Sequence, residues 1–382
     1  MASTTLNLPG GIVSLEDGPL PEASEAWNRV AFAAAHVVAD PLAESDPWVD
    51  CAIDWDRTLA FRAHLWSLGF GVAEAMDTAQ RGMGLDWPTS MELIRRSVAV
   101  ARAGGHRIAS GAGTDHLPAD ARVGLDAVIA AYEDQCEAVE ALGSQVILMA
   151  SRALVKAARG PDDYARVYER VLGGLERPAI LHWLGEMFDP ALEGYWGETD
   201  HMSAMEICLR IIADNAGRID GIKISLLSAE KEIAMRRRLP EGVRMYTGDD
   251  FNYPDLIAGD DAGYSDALLG IFDPIAGAAA RALSALGAGD HSGYDAAFGP
   301  TVPLSRHIFR APTRFYKTGV VFMAYLNGHQ DHFVMIGGQE SARSTLHLAE
   351  VIRLANAAGL FPDAEMTAAR ARPIFASRGV EA

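Results

Sequence analysis

Lys223 is the residue with the most chemistry to offer. It lies in Arg218-Ile219-Asp220-Gly221-Ile222-Lys223-Ile224-Ser225, a short β-branched run with one cation near its centre. The chain holds only four lysines, at 156, 223, 231 and 317. A lysine in a buried strand must shed its charge or find a partner. Burial lowers an amine's pKa by a few units, so a free, nucleophilic amine can exist near neutral pH. Such an amine forms Schiff bases with carbonyl compounds. The simpler reading is a strand lysine that snorkels to solvent or pairs with a carboxylate.

The elements that would hold it can be read from the pattern. Eight short apolar runs predict strands: Val30–Ala39, Gly71–Ala75, Arg107–Gly111, Gln145–Ala150, Ala179–Trp183, Ile219–Ser225, Val243–Thr247 and Tyr264–Leu269. Helical stretches separate them: Arg57–Leu68, Thr89–Ala103, Ala121–Leu142, Asp162–Leu172, Ser203–Ala213, Leu227–Arg238 and Tyr253–Gly259, with Pro274–Leu286 after the last strand. Eight strand–helix units predict an α/β fold, a closed (β/α)8 TIM barrel. An open doubly wound sheet is the runner-up, weakened because no strand leads into G-x-G-x-x-G. Residues 1–29 read as a polar lead-in. Residues 291–382 read as a helical C-terminal extension, with helices within 307–327, over 341–358 and from Asp363. The expected domains are therefore 1–290 (barrel) and 291–382 (helical).

Barrel chemistry sits where strands end and the following loops begin. That rule selects His36 and Asp40; Glu74 to Gly82; Ser110 to His116; Met149, Ser151 and Arg152; His182 to Glu186; Lys223 and Ser225; Thr247 to Asp250; and Asp266 with Gly270. Each has a plainer alternative. Asp249 or Asp250 could cap a helix, Thr114 and Asp115 a loop, and His182 could be a core histidine. His329 and His332 have metal-like spacing but no matching carboxylate motif. Gly337-Gly338 could seat an anion or simply make a turn.

Gly221-Ile222-Lys223, then Tyr246-Thr247-Gly248-Asp249-Asp250, resembles the dihydrodipicolinate synthase/N-acetylneuraminate lyase superfamily of class I aldolase-type barrels. The stretches Met76 to Leu85 and Asn327 to Phe333 resemble its DUF993 branch. The resemblance implies a Schiff-base lysine at Lys223 and a helical C-terminal domain. It places His182, in Leu181-His182-Trp183, where the superfamily has a proton-shuttling tyrosine, a role imidazole can take. It implies a substrate-binding set of Asp77, Thr78, Gln80, Thr114, Gly248 and Asp249. The superfamily's G-T-T-G-E, whose threonines cradle a pyruvyl carboxylate, is replaced by Ala75-Met76-Asp77-Thr78-Ala79-Gln80. Asp77 would repel a carboxylate and favour the hydroxyls of a keto-sugar or polyol.

The expected function is thus a Schiff-base-forming lyase or dehydratase acting on a small keto acid or keto-sugar carbonyl, without metal or other cofactor beyond the lysine imine. The first alternative is a metal-dependent sugar isomerase, epimerase or dehydratase that uses a divalent ion held by Glu74, Asp77, His116, His182, Glu186 or Asp249. A second is a non-catalytic barrel. The net charge of −18 argues against nucleic acid and anionic membrane as partners. Cys51, Cys136 and Cys208 are scattered, with no zinc or disulfide pattern. The start lacks a signal-peptide pattern and the apolar stretches are too short to span a bilayer, so a cytoplasmic protein is expected. The resemblance implies a homo-oligomer, dimer or tetramer.

Overall fold

The computed structural model describes residues 4–20, 27–118 and 122–382. Among them are ten strands. β1 (Thr4–Leu8) and β2 (Gly11–Leu15) form an antiparallel hairpin. The other eight are β3 (Ala31–Ala34), β4 (Gly71–Glu74), β5 (Ile108–Ala112), β6 (Gln145–Met149), β7 (Ala179–Leu184), β8 (Ile219–Ser225), β9 (Arg244–Thr247) and β10 (Asp266–Leu269). They are all parallel, each paired with its sequence neighbours, and β10 closes on β3. The expected (β/α)8 barrel is what forms. Both faces of these strands are buried, which explains their continuous apolar character.

The helices between strands start at the positions their caps dictate. Asp54, Asp86, Asp200 and Ser228 each accept a bond from the backbone N–H three residues on. Gly105 and Gly143 end two of the long helices at φ of 66° and 85°, a conformation that other residues adopt at a cost.

The chain divides into two compact units. One comprises Arg29–Ala34 and Gly71–Leu269 and contains all eight barrel strands. The other comprises Met1–Asn28, Ala35–Phe70 and Gly270–Ala382. In this second unit every residue of the helix Tyr316–Leu326 is buried, and the helices Thr345–Ala357 and Ala364–Ala376 follow it. The hairpin is tied to them: Arg353 donates to Pro9 O at 2.6 Å, Asn356 to Ser14 O at 3.0 Å and Arg372 to Thr5 O at 3.0 Å.

Several expectations need correction. The polar lead-in contains the β1–β2 hairpin, whose Leu6, Leu8 and Leu15 are buried. The first barrel strand stops at Ala34 rather than Ala39, because the His36 N–H donates to the Asp273 carboxylate at 2.8 Å instead of continuing a ladder. The eighth begins at Asp266, so Asp266 stands at the strand's start, not at its C-terminal end. The helix expected over Leu227–Arg238 covers Ala229–Arg236. Pro21, and Ala121 at the head of the third expected helix, lie outside the described residues.

The barrel interior explains why its upper part can do chemistry. Phe32, Ala73, Ala109, Ile147, Ile180, Tyr246 and Leu268 belong to one buried apolar cluster. On β8 the place is taken by Gly221, where a Cβ would stand 2.7 Å from the Tyr246 ring and from Arg244 O. Two residues further along seven of the eight strands come Ala34, Gly111, Met149, His182 and Lys223 on the same face, with Ala75 and Gly248 just past the ends of β4 and β9. Four of these seven are glycine or alanine, and Met149 pairs in register with His182.

Candidate active site

Lys223 pairs in register with His182 on β7 and Tyr246 on β9. It is only 7% exposed. Burial pulls its amine below the ordinary lysine value, and the Asp250 and Asp77 carboxylates push it partly back. Gly248 is required at the end of β9. A Cβ there would stand 2.7 Å from Lys223 Cε, 2.5 Å from Ile224 O and closer still to Ser225 Oγ. The Gly248 N–H donates to Ile224 O at 3.0 Å, locking this close approach.

His182 is buried, and its Nε2 lies 3.3 Å from Ser225 Oγ. Burial first, and the Lys223 charge second, hold its pKa well below the ordinary histidine value. The imidazole is therefore neutral and offers one donor and one acceptor. Ser225 is itself pinned, since its carbonyl accepts the Gly185 N–H at 3.1 Å.

The remaining expected site residues divide into two groups. Asp77 acts on the Lys223 charge from the turn Asp77–Ala79, where Thr78 is buried. Gln80, at φ 65°, donates its amide to Met83 O at 3.2 Å, within its own loop. Thr114 shares a hydrogen bond of 2.6 Å with Ser151. The Ser151 N–H donates to the Tyr195 hydroxyl at 3.2 Å, and Tyr195 meets the Tyr168 hydroxyl at 2.9 Å. Asp249 accepts from Phe251 N at 2.9 Å, Asn252 N at 3.1 Å and Asn252 Nδ2 at 2.8 Å, so it organises the loop before the helix Tyr253–Ala258. Its neighbour Asp250, a strand-end candidate with helix capping as its plainer alternative, supplies the larger carboxylate field at Lys223.

Two shortlisted positions, Arg81 and Ser225, were given no role by the sequence reading, and a third group, Glu232, escaped it. Arg81 is buried and knits two loops: it donates to Asp115 at 2.8 and 2.6 Å and to Gly111 O at 2.6 Å. Its guanidinium lies 4.8 Å from the Trp87 ring centroid. Glu232 is buried between the Thr247 and Ser265 hydroxyls, which donate at 2.9 and 2.7 Å. Burial pushes its carboxyl up to about 8. Ser225 was visible in principle, since it sits two residues beyond Lys223 and strand periodicity puts both on one face.

The residues weighed for a divalent ion do not gather. Glu74 accepts from Ala75 N at 2.9 Å and Ser97 Oγ at 2.6 Å. His116 lies 2.7 Å from the Gln135 amide. Glu186 sits 3.0 Å from His201, whose other nitrogen lies 2.7 Å from Lys231 Nζ. Among the described residues no group of three or more His, Cys, Asp or Glu could hold a metal ion. His329 and His332 are engaged otherwise. The His329 ring packs against Phe61 and His64, with centroids at 5.0 and 4.6 Å, and burial pushes it down to about 3. His332 Nδ1 accepts Val334 N at 3.1 Å. No described helix is long and apolar enough to cross a membrane.

Comparison with known proteins places the chain. A family model described as "Protein of unknown function (DUF993)" matches residues 14–380, and the chain belongs to that family. No curated protein matches it. Among solved structures it is similar to the dihydrodipicolinate synthase of Aquifex aeolicus, at 11% identity and a TM-score of 0.65 over 87% of this chain and 98% of that one. The enzyme from Oceanobacillus iheyensis matches at 13% identity, TM-score 0.61, over 86% and 97%. That from Acinetobacter baumannii, in complex with pyruvate, matches at 14% identity, TM-score 0.64, over 87% and 99%. At these identities the likeness is one of fold, and it agrees with the (β/α)8 barrel expected from the sequence.

Proposed function

We propose that this DUF993 member is an imine-forming lyase or dehydratase of the class I aldolase type, with Lys223 as its nucleophile. The observation that carries the reading is a buried lysine at the C-terminal half of a barrel strand, its amine lowered by burial and flanked by a neutral imidazole. The free amine attacks a substrate carbonyl carbon, and loss of water gives a protonated imine. That cation withdraws electrons from a neighbouring C–C or C–O bond, which then breaks. Asp250 and Asp77 offset the iminium charge in a site of low polarity, where fixed charges act strongly. His182, held neutral, supports proton movement through the hydrogen bond it shares with Ser225.

The same two carboxylates bear on the substrate. A keto acid would bring its own negative charge toward them, whereas hydroxyls of a keto-sugar or polyol-derived carbonyl donate to them. Of the two substrate classes we therefore favour the hydroxylated carbonyl. The test is reductive trapping: incubation with borohydride and a panel of hydroxylated ketones, aldehydes and α-keto acids. The intact mass should rise by one reduced carbonyl unit with a hydroxylated compound, and Lys223→Ala should show no gain. An equal gain in Lys223→Ala would overturn the reading.

A further inference from the structure

We propose that Ser225 is the proton relay of this site and that His182 acts as its positioning residue. The inference rests on the imine-forming reading and goes beyond it by assigning the hydroxyl a step of its own.

Three observations converge on Ser225. It follows Lys223 by two residues on β8, so both side chains leave the same face of one strand. Its Oγ and Lys223 Cε both crowd the spot where a Cβ on Gly248 would sit, so the hydroxyl and the lysine stem border one small volume. Finally, His182 Nε2 lies 3.3 Å from Ser225 Oγ across the β7–β8 ladder, and the two main chains are fixed by the Gly185 N–H to Ser225 O bond.

The neutrality of His182 decides how the work divides. A ring held far below its ordinary pKa is a poor place to park a proton, but as a neutral donor it can orient a hydroxyl. With the ring proton on Nε2, His182 donates to Ser225 Oγ. The hydroxyl is then left with its own proton and one lone pair for the reacting centre.

The step balances. As Nζ attacks, a C–N bond forms and the carbonyl π pair moves onto oxygen, leaving a positive nitrogen and a negative oxygen. One proton passes from that nitrogen to Ser225 Oγ while the serine's own proton passes to the oxygen. The product is a neutral carbinolamine, and Ser225 and His182 end as they began. The further proton needed to expel water enters from solvent.

The experiment measures the rate of borohydride trapping by a saturating hydroxylated ketone, in H2O and in D2O. In Ser225→Ala the rate should fall about 10²-fold, the lower end of what a positioned proton-transfer group contributes. Its solvent isotope effect should shrink, which a merely structural loss would not cause. Ser225→Thr, which keeps a hydroxyl, should recover most of the rate. A wild-type adduct with Ser225→Ala trapping within about threefold of it would overturn the relay and leave the imine reading standing. The absence of any wild-type adduct would overturn both.

Discussion

The two ends of the barrel interior treat charge in opposite ways. At the entry end of the strands polar groups close on one another. The Tyr246 hydroxyl donates to Asp220 at 2.7 Å. Arg244 donates to Asp266 at 2.8 Å, and the other Asp266 oxygen accepts Val30 N at 2.7 Å. Asp220 reaches Tyr246 because β8 carries a register shift there: Ala179 pairs with Ile219 and Ile180 with Gly221, leaving Asp220 as the extra residue. At the exit end, Lys223 is set among small residues, a neutral imidazole and two carboxylates that pull against its burial. Charge that the protein neutralises for itself holds the barrel together. Charge held between opposing influences is the kind that the proposed reaction would use.

That contrast can be tested from either end. Asp250→Asn should have the largest effect on the pH dependence of trapping among changes around the lysine. Asp250 raises the Lys223 amine, so its removal leaves burial less opposed, and the pH above which trapping levels off should move down. The plateau rate should fall about ten- to a hundredfold as the iminium loses a counter-charge. A midpoint that stays fixed or rises would show that Asp250 does not govern the amine. Gly248→Ala should cost about 1–3 kcal/mol in chemical denaturation through overpacking. It should also slow trapping, because the new methyl displaces Lys223 Cε and Ser225 Oγ. Tyr246→Phe at the opposite end should cost only about 1 kcal/mol, the worth of one hydrogen bond. Trapping should be untouched in that variant, and a large loss there would erase the distinction between the two ends.

Much of this architecture was legible in the sequence. Each of the eight barrel strands is a short apolar run, and each run emerged as a strand because hydrophobic periodicity survives in a doubly buried sheet. The boundaries failed where a side chain captures the backbone, as Asp273 does at His36. The β1–β2 hairpin escaped because its signal is a few alternating leucines among polar residues. Lys223 stood out as a cation among β-branched residues, and the superfamily motif pointed to His182. The groups that set their behaviour come from elsewhere in the fold. Asp250 lies beyond the end of β9 and Asp77 in the turn after β4. The strand-end rule shortlisted these positions, but only closure of the barrel brings them together, so no local pattern announces which of them act on Lys223.

The most direct test of the central claim is to locate the adduct. After trapping with borohydride and a hydroxylated ketone, peptide mass mapping should place the whole modification on Lys223. The only other lysines are Lys156, Lys231 and Lys317, and peptide fragmentation distinguishes them and the chain's α-amine from Lys223. An adduct on any of those three with Lys223 unmodified, or none with any carbonyl compound tested, would contradict the account.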